Sequence, residues 1–175
     1  MKLFNSTKKD IHFSKKFLNV GTFAIFFNRG FHALLFYRIA NKLYKWKIPG
    51  LPLIFARIIQ ILYAIDIDYK ASISGGIVIV HGVGLVIGSG AKVASNVVFF
   101  HGVTLGRRGI GPVISATDGF PQVKEDCIIC AGAVLLGNIT IEKNTTIGAN
   151  AVVTQNIGPD VIYKIPNSNF VTYNK

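Results

Sequence analysis

Acidic residues are scarce in this sequence: eight Asp and Glu stand against nineteen Lys and Arg, a formal net charge of +11 over 175 residues. Charge of either sign is sparse, 15% of residues against 50% hydrophobic, which excludes a disordered chain and leaves enough apolar surface for a buried core. Cysteine is limited to Cys127 and Cys130, spaced C-x-x-C. No βαβ pattern and no second Cys/His pair accompanies them, which argues against a redox motif or a zinc site. They read as small buried residues in a reducing cytoplasm. Long hydrophobic runs are also missing. The charge-free stretches 17–28, 48–56 and 58–65 fall short of the ~20 residues a membrane span needs. Fusing the last two puts Arg57 in the middle, behind Pro49 and Pro52, which suits an amphipathic or buried helix. No secretory signal is expected, because the first apolar run follows five lysines and no small-residue cleavage site comes after it.

What charge there is lies unevenly. Residues 1–65 hold eleven Lys and Arg against Asp10 alone, and residues 66–175 hold eight against seven acids. The first region reads as helical. Phe31, Leu34, Leu35, Ile39 and Leu43 follow helical spacing with Arg38, Lys42 and Lys45 on another face, and a second helix is expected over 52–64. Residues 1–16 carry weak order signals. A basic amphipathic segment of this kind is expected to touch an anionic inner membrane face. No recognition motif for nucleic acid accompanies the charge, so no nucleic-acid partner is expected.

From Ile67 onward the sequence is abundant in something else, a six-residue period. Positions 67, 73, 79, 85, 91, 97 and 103 are aliphatic, and after a break so are 123, 129, 135, 141, 147 and 153. Neither a helical nor a two-residue period explains this. Each hexad supplies a short strand and a turn, and three hexads of about 18 residues close a triangular rung. The aliphatic residue points inward, and strands of successive rungs pair in parallel ~4.8 Å apart. Small residues recur four positions later (Ala71, Ser89, Ser95, Cys127, Ala133, Thr145, Ala151). Gly88, Gly90, Asn96, Gly132, Asn144 and Asn150 suit corners with left-handed backbone. The expected layout is a helical region, 1–65, and a β-helix domain, 66–175, from which residues 106–122 extrude as a Gly-rich loop carrying Arg107 and Arg108.

Few residues in the repeat can do chemistry. His81 lies two past a core aliphatic and is followed by Gly82 and Gly84, so it should project from a corner. Asp66, fifteen residues earlier, falls three residues out of vertical alignment one rung below, within reach of a side-chain bridge. A carboxylate that orients an imidazole and offsets its developing charge is the usual support for a general base. His101, four places after Val97, is the weaker candidate, for a substrate or helper role.

The stretch DIDYKASISGGIVIVHGVGLVIGSGAKV, then VVFFHGVTLGRRG and ICAGAVLLGNITIEKNTTIGANAVVTQNI, resembles the catalytic part of the serine acetyltransferase family and its exopolysaccharide-cluster relatives, over roughly residues 64–166. The resemblance implies a left-handed parallel β-helix, a homotrimer, and acetyl-CoA as co-substrate with no metal. It implies a catalytic dyad at Asp66 and His81 and acetyl-CoA contacts at Gly106, Arg107, Ala131, Gly132 and Ala149. The chain departs from the family pattern at three positions. Val80 stands where the family has Asp, and Gly119–Phe120 where it has Arg-His, so the charged grip on a small zwitterion is lost. With His101, Val80 and Phe120 lining the acceptor side, the expected activity is O-acetylation of a sugar hydroxyl on a cell-surface polysaccharide precursor. The alternative is serine O-acetyltransfer. A zinc carbonic anhydrase on the same repeat would need three His, and only His81 and His101 lie in it; a non-catalytic scaffold is the remaining class. The expected location is the cytoplasm, peripheral at the inner membrane face.

Overall fold

A computed structural model describes residues 2–109 and 118–164. Four helices, α1 (Lys2–Leu18), α2 (Thr22–Ile25), α3 (Arg29–Lys45) and α4 (Leu51–Tyr63), precede fourteen short strands. The strands form three parallel walls around a three-sided β-helix. Its inward stacks are Ile67, Ile87, Leu105, Leu135 and Val153 on the first wall; Ile73, Val93, Val123 and Ile141 on the second; and Ile79, Phe99, Ile129, Ile147 and Tyr163 on the third. The hexad rule thus places the strand centres of the first rung and of everything after residue 122.

Between them the phase shifts by two. The stacking positions are 87, 93, 99 and 105, not 85, 91, 97 and 103. Leu85, Ala91, Val97 and Val103 are still buried, at the secondary inward site two residues ahead of each centre. Ser89 and Ser95, expected at the small buried site, are only half-buried, whereas Ala71, Cys127, Ala133, Thr145 and Ala151 are fully buried there. Asn96, Gly132, Asn144 and Asn150 have positive φ, as their corner role requires; Gly88 and Gly90 do not. Cys127 donates from Sγ to the Glu142 carbonyl at 3.1 Å, and both cysteines are free thiols. Burial pushes both thiols up, away from the reactive thiolate form.

Of the stretch 1–16, the described residues 2–16 are not weakly ordered: α1 spans them because Asp10 has a partner that sequence spacing does not reveal. Asp10 and Arg38 are 1% and 5% exposed and paired through two hydrogen bonds, Nε to Oδ2 at 2.6 Å and Nη2 to Oδ1 at 2.9 Å. Arg38 also donates to the carbonyls of Ile73 and Ser74, and Asp10 Oδ1 accepts the backbone N–H of Gly76 and Ile77. Burial pushes the Asp10 carboxyl upward against the pull of Arg38. Tyr37 accepts from Ile73 N and donates to the Ala71 carbonyl, and burial pushes its hydroxyl up to about 12. Asn41 donates to Tyr69 and Ala71. One face of α3 therefore satisfies the unpaired edge of the first rung, and Ala33, Leu34, Tyr37 and Ile59 join the β-helix core. No helix among the described residues is long and apolar enough to cross a membrane.

Removing one member of a buried, hydrogen-bonded pair strands its partner, at a cost of about 3–5 kcal/mol. Asp10→Ala is expected to lower unfolding stability by that amount, and Asp10→Leu with Arg38→Met to recover most of it. Urea unfolding followed by the fluorescence of Trp46, the single tryptophan, measures both; equal losses in the two variants would refute the clamp.

Candidate active site

The site is made by the corner that joins the third wall to the first. In later rungs this corner stacks regularly: Gly102 N donates to Val83 O at 2.9 Å, Gly132 N to His101 O at 2.9 Å and Asn150 N to Ala131 O at 2.8 Å. Gly84 N donates in the same way to Ala64 O. Val83, His101, Ala131 and Ala149 are therefore equivalents, as are Gly84, Gly102, Gly132 and Asn150, which all have positive φ. Ile67 pairs with Ile87, a rung of twenty residues rather than eighteen. The two surplus residues are His81 and Gly82.

They leave the wall as a pair of three-residue turns, with Gly82 N donating to Val80 O at 2.9 Å and Val83 N to His81 O at 2.8 Å. His81 itself has φ 65°, a left-handed conformation that costs a non-glycine residue about 1–2 kcal/mol. Gly82 at φ 62° cannot be replaced freely, since a Cβ there would lie 2.6 Å from Ile65 Cδ1 and 2.9 Å from Ile79 Cγ2. The strained bulge carries the His81 side chain out of the wall and into solvent.

Asp66 is the second residue after Ala64, at the same corner one rung below, with its Cα paired to Val86. The carboxylate is exposed and opens into a cleft of about 200 Å³ with Asp68, Arg57 and Tyr69. His81 lines a different cleft, of about 150 Å³, with Phe27, Asn28, Arg29 and Gly30. Among the described residues no hydrogen bond joins Asp66 to His81. His101 does not occupy a buried small-residue position. It is exposed at the His81 corner one rung further on, their ring centroids 6.4 Å apart, because the two-residue phase shift moves it there. Ala131, Gly132 and Ala149 continue this edge above it. Val80, half-buried, precedes the bulge and donates to Phe99 O at 2.7 Å.

The other expected residues lie at the corner between the first and second walls. Gly106 ends the Thr104–Gly106 strand. Arg107 is bound by Asp118 through Nε and Nη2, and Asp118 also accepts from Gly109 N, so the pair closes the neck of the extruded loop. Arg107 holds the Asp118 carboxyl below its ordinary range. Positions 110–117 of the loop lie outside the described residues. Phe120 lies flat on Gly88 and Gly90, where any side chain would collide with its ring. Within one chain it therefore sits at a different corner from His81.

Phe27, Asn28, Arg29 and Gly30, all beside His81, escaped the sequence reading. The available signal was Gly30, a helix-weakening residue in the first turn of α3. A Cβ there would collide with the Ile79 carbonyl, so only glycine lets α3 start against the wall that leads into His81.

The bacterial transferase hexapeptide family (six repeats) matches residues 120–155. A serine acetyltransferase of Buchnera aphidicola subsp. Schizaphis graminum is 35% identical over 150 residues, covering 81% of this chain and 56% of that protein. The chain spans about half the length of the curated relatives it matches. A solved serine acetyltransferase in complex with CoA superposes with a TM-score of 0.85 at 30% identity, covering 94% of this chain and 68% of the other. The Neisseria gonorrhoeae serine acetyltransferase in complex with serine superposes with a TM-score of 0.84 at 27% identity, covering 94% and 67%.

Proposed function

The chain belongs to the serine acetyltransferase family of hexapeptide-repeat acyltransferases, and on that premise we propose that it is an acetyl-CoA-dependent O-acetyltransferase with His81 as general base. The observation that carries the reading is the two-residue bulge, which spends backbone strain to hold an imidazole outside the wall. His81 takes the proton of the acceptor hydroxyl as its oxygen attacks the acetyl thioester carbon. The same proton then leaves with the CoA thiol as the thioester bond breaks. Asp66, at the same corner, offsets the imidazolium charge. The small residues Ala131, Gly132 and Ala149, stacked above His81 and His101, leave room along that edge for the pantetheine arm.

The relatives named above favour L-serine as acceptor over the sugar hydroxyl expected from sequence. A sugar remains a second reading on one specific observation: Val80, Gly119 and Phe120 place no charge at the three positions where the family resemblance implies Asp and Arg-His. Steady-state thiol release from acetyl-CoA, with serine and sugar acceptors in parallel, decides between them. Turnover at low millimolar serine supports the first reading. Turnover with sugars alone supports the second. With either acceptor His81→Ala should lower kcat by about 10²–10⁴-fold, and near-normal turnover in that variant would remove His81 as the base.

His81 and the described loop ends at Arg107 and Phe120 lie at different corners of one chain, so a groove using both needs two chains, and we expect the homotrimer implied by the resemblance. Sedimentation that finds a stable, fully active monomer would contradict this.

Peripheral contact with an anionic membrane belongs to the same proposal, and with it a cytoplasmic location at the inner face. Asp10, the single acid in residues 1–65, is buried by Arg38, so the exposed charges of the helices are all cationic. Phe23 and Phe27, 77% and 70% exposed on the α2 turn, stand beside Arg29. The protein should cosediment with vesicles containing anionic lipid and not with neutral ones, and Phe23→Ser with Phe27→Ser should weaken that binding. Equal recovery with both vesicle types would refute it.

A further inference from the structure

The cleft that His81 shares with the start of α3 has one permanent cation in its lining, Arg29. Phe27, Asn28, Arg29, Gly30 and His81 line it, and no carboxylate does. Asp66 and Asp68, on the rung below, open into the separate cleft with Arg57. The ion pairs of the described residues are Arg38 with Asp10 and Arg107 with Asp118, so Arg29 is committed to neither. Its backbone is fixed. The Asn28 side chain accepts from Phe31 N at 3.0 Å and starts the helix there, and Gly30 seats that start against Ile79, two residues before His81. His32 locks the same segment through contacts with Phe26 O at 2.6 Å and Tyr63 Oη at 2.9 Å.

We propose that Arg29 is a specificity-determining residue of the acceptor site, binding a carboxylate or phosphate carried a few bonds from the hydroxyl that His81 deprotonates. A cleft of about 150 Å³ lined by both Arg29 and His81 has room for one small group. A guanidinium fork matches both oxyanions in a bidentate manner. The chemistry is shared by a free amino acid and by an acidic or phosphorylated sugar, and the inference rests on His81 being the base.

The test compares acceptors that carry an oxyanion with counterparts in which that group is absent or uncharged, termed the anionic and neutral members by that group alone. The pairs are L-serine with L-serinamide and glucuronate or glucose 1-phosphate with glucose, in the intact protein and its Arg29→Ala and Arg29→Lys variants. Losing a charge-assisted contact should lower kcat/KM for the anionic member by roughly 10- to 100-fold, mostly in KM. The neutral member should change little, and lysine should restore part of the loss. Which anionic acceptor responds identifies the source. Binding is read separately from the His81 imidazole resonance titrated with L-serine, glucuronate and inorganic phosphate. This arm needs no turnover, so it stands even if the transferase reading fails. Shifts in the wild type that vanish in Arg29→Ala support the assignment. Anions that leave the resonance unmoved, or anionic and neutral acceptors that lose activity equally, overturn it.

Discussion

A parallel β-helix begins with a rung whose backbone has no partner on one side, and everything else in this protein depends on how that edge is closed. Apolar side chains of α3 and α4 join the core, but the backbone edge itself is closed by polar groups. Arg38, Tyr37 and Asn41 on one helix deliver donors and acceptors to residues 69–74, and Asp10 on another accepts the N–H groups of Gly76 and Ile77. An edge capped this way cannot recruit a further strand, and the rung that carries Asp66 is held in register with the rung that carries His81. The buried ion pair at its centre is less a source of net stability than a way of fixing where two helices meet the wall.

That fixing has a chemical consequence. Because α3 approaches so closely at Gly30 that no side chain fits, its first residues become one wall of the cleft at His81. The helical region is thus part of the site as well as a cap. On the reading proposed above, the β-helix supplies the base, His81, and the edge along which a long co-substrate lies. The helices supply the opposite side, with its aromatic and cationic groups.

The six-residue period made the solenoid and its strand centres legible, because inward stacking demands an aliphatic residue whatever lies outside. The phase shift was hidden by the same tolerance: Leu85, Ala91, Val97 and Val103 are aliphatic and buried at the secondary inward site, so a count by six ran through them without a visible fault. Only pairing shows that His81 and Gly82 are surplus, and with that His101 moves from a packed position to the His81 edge. Arg29 was illegible for a different reason. It reaches the site through a helix packing against a strand fifty residues later, and no local periodicity encodes such a meeting. The role of Asp10 was masked likewise, its partner being 28 residues away on another helix.

The surplus pair also bears on how this scaffold could acquire an activity at all. The hydrogen-bond ladder passes from Ala64 to Gly84, then from Val83 to Gly102, and takes no bond from His81 or Gly82. A rung lacking them would still close at the eighteen residues of its neighbours. The group proposed as the base is therefore excess chain length, a detour that the architecture tolerates and does not require. Its chemistry can drift, be lost or be exchanged between lineages while the solenoid beneath it stays the same.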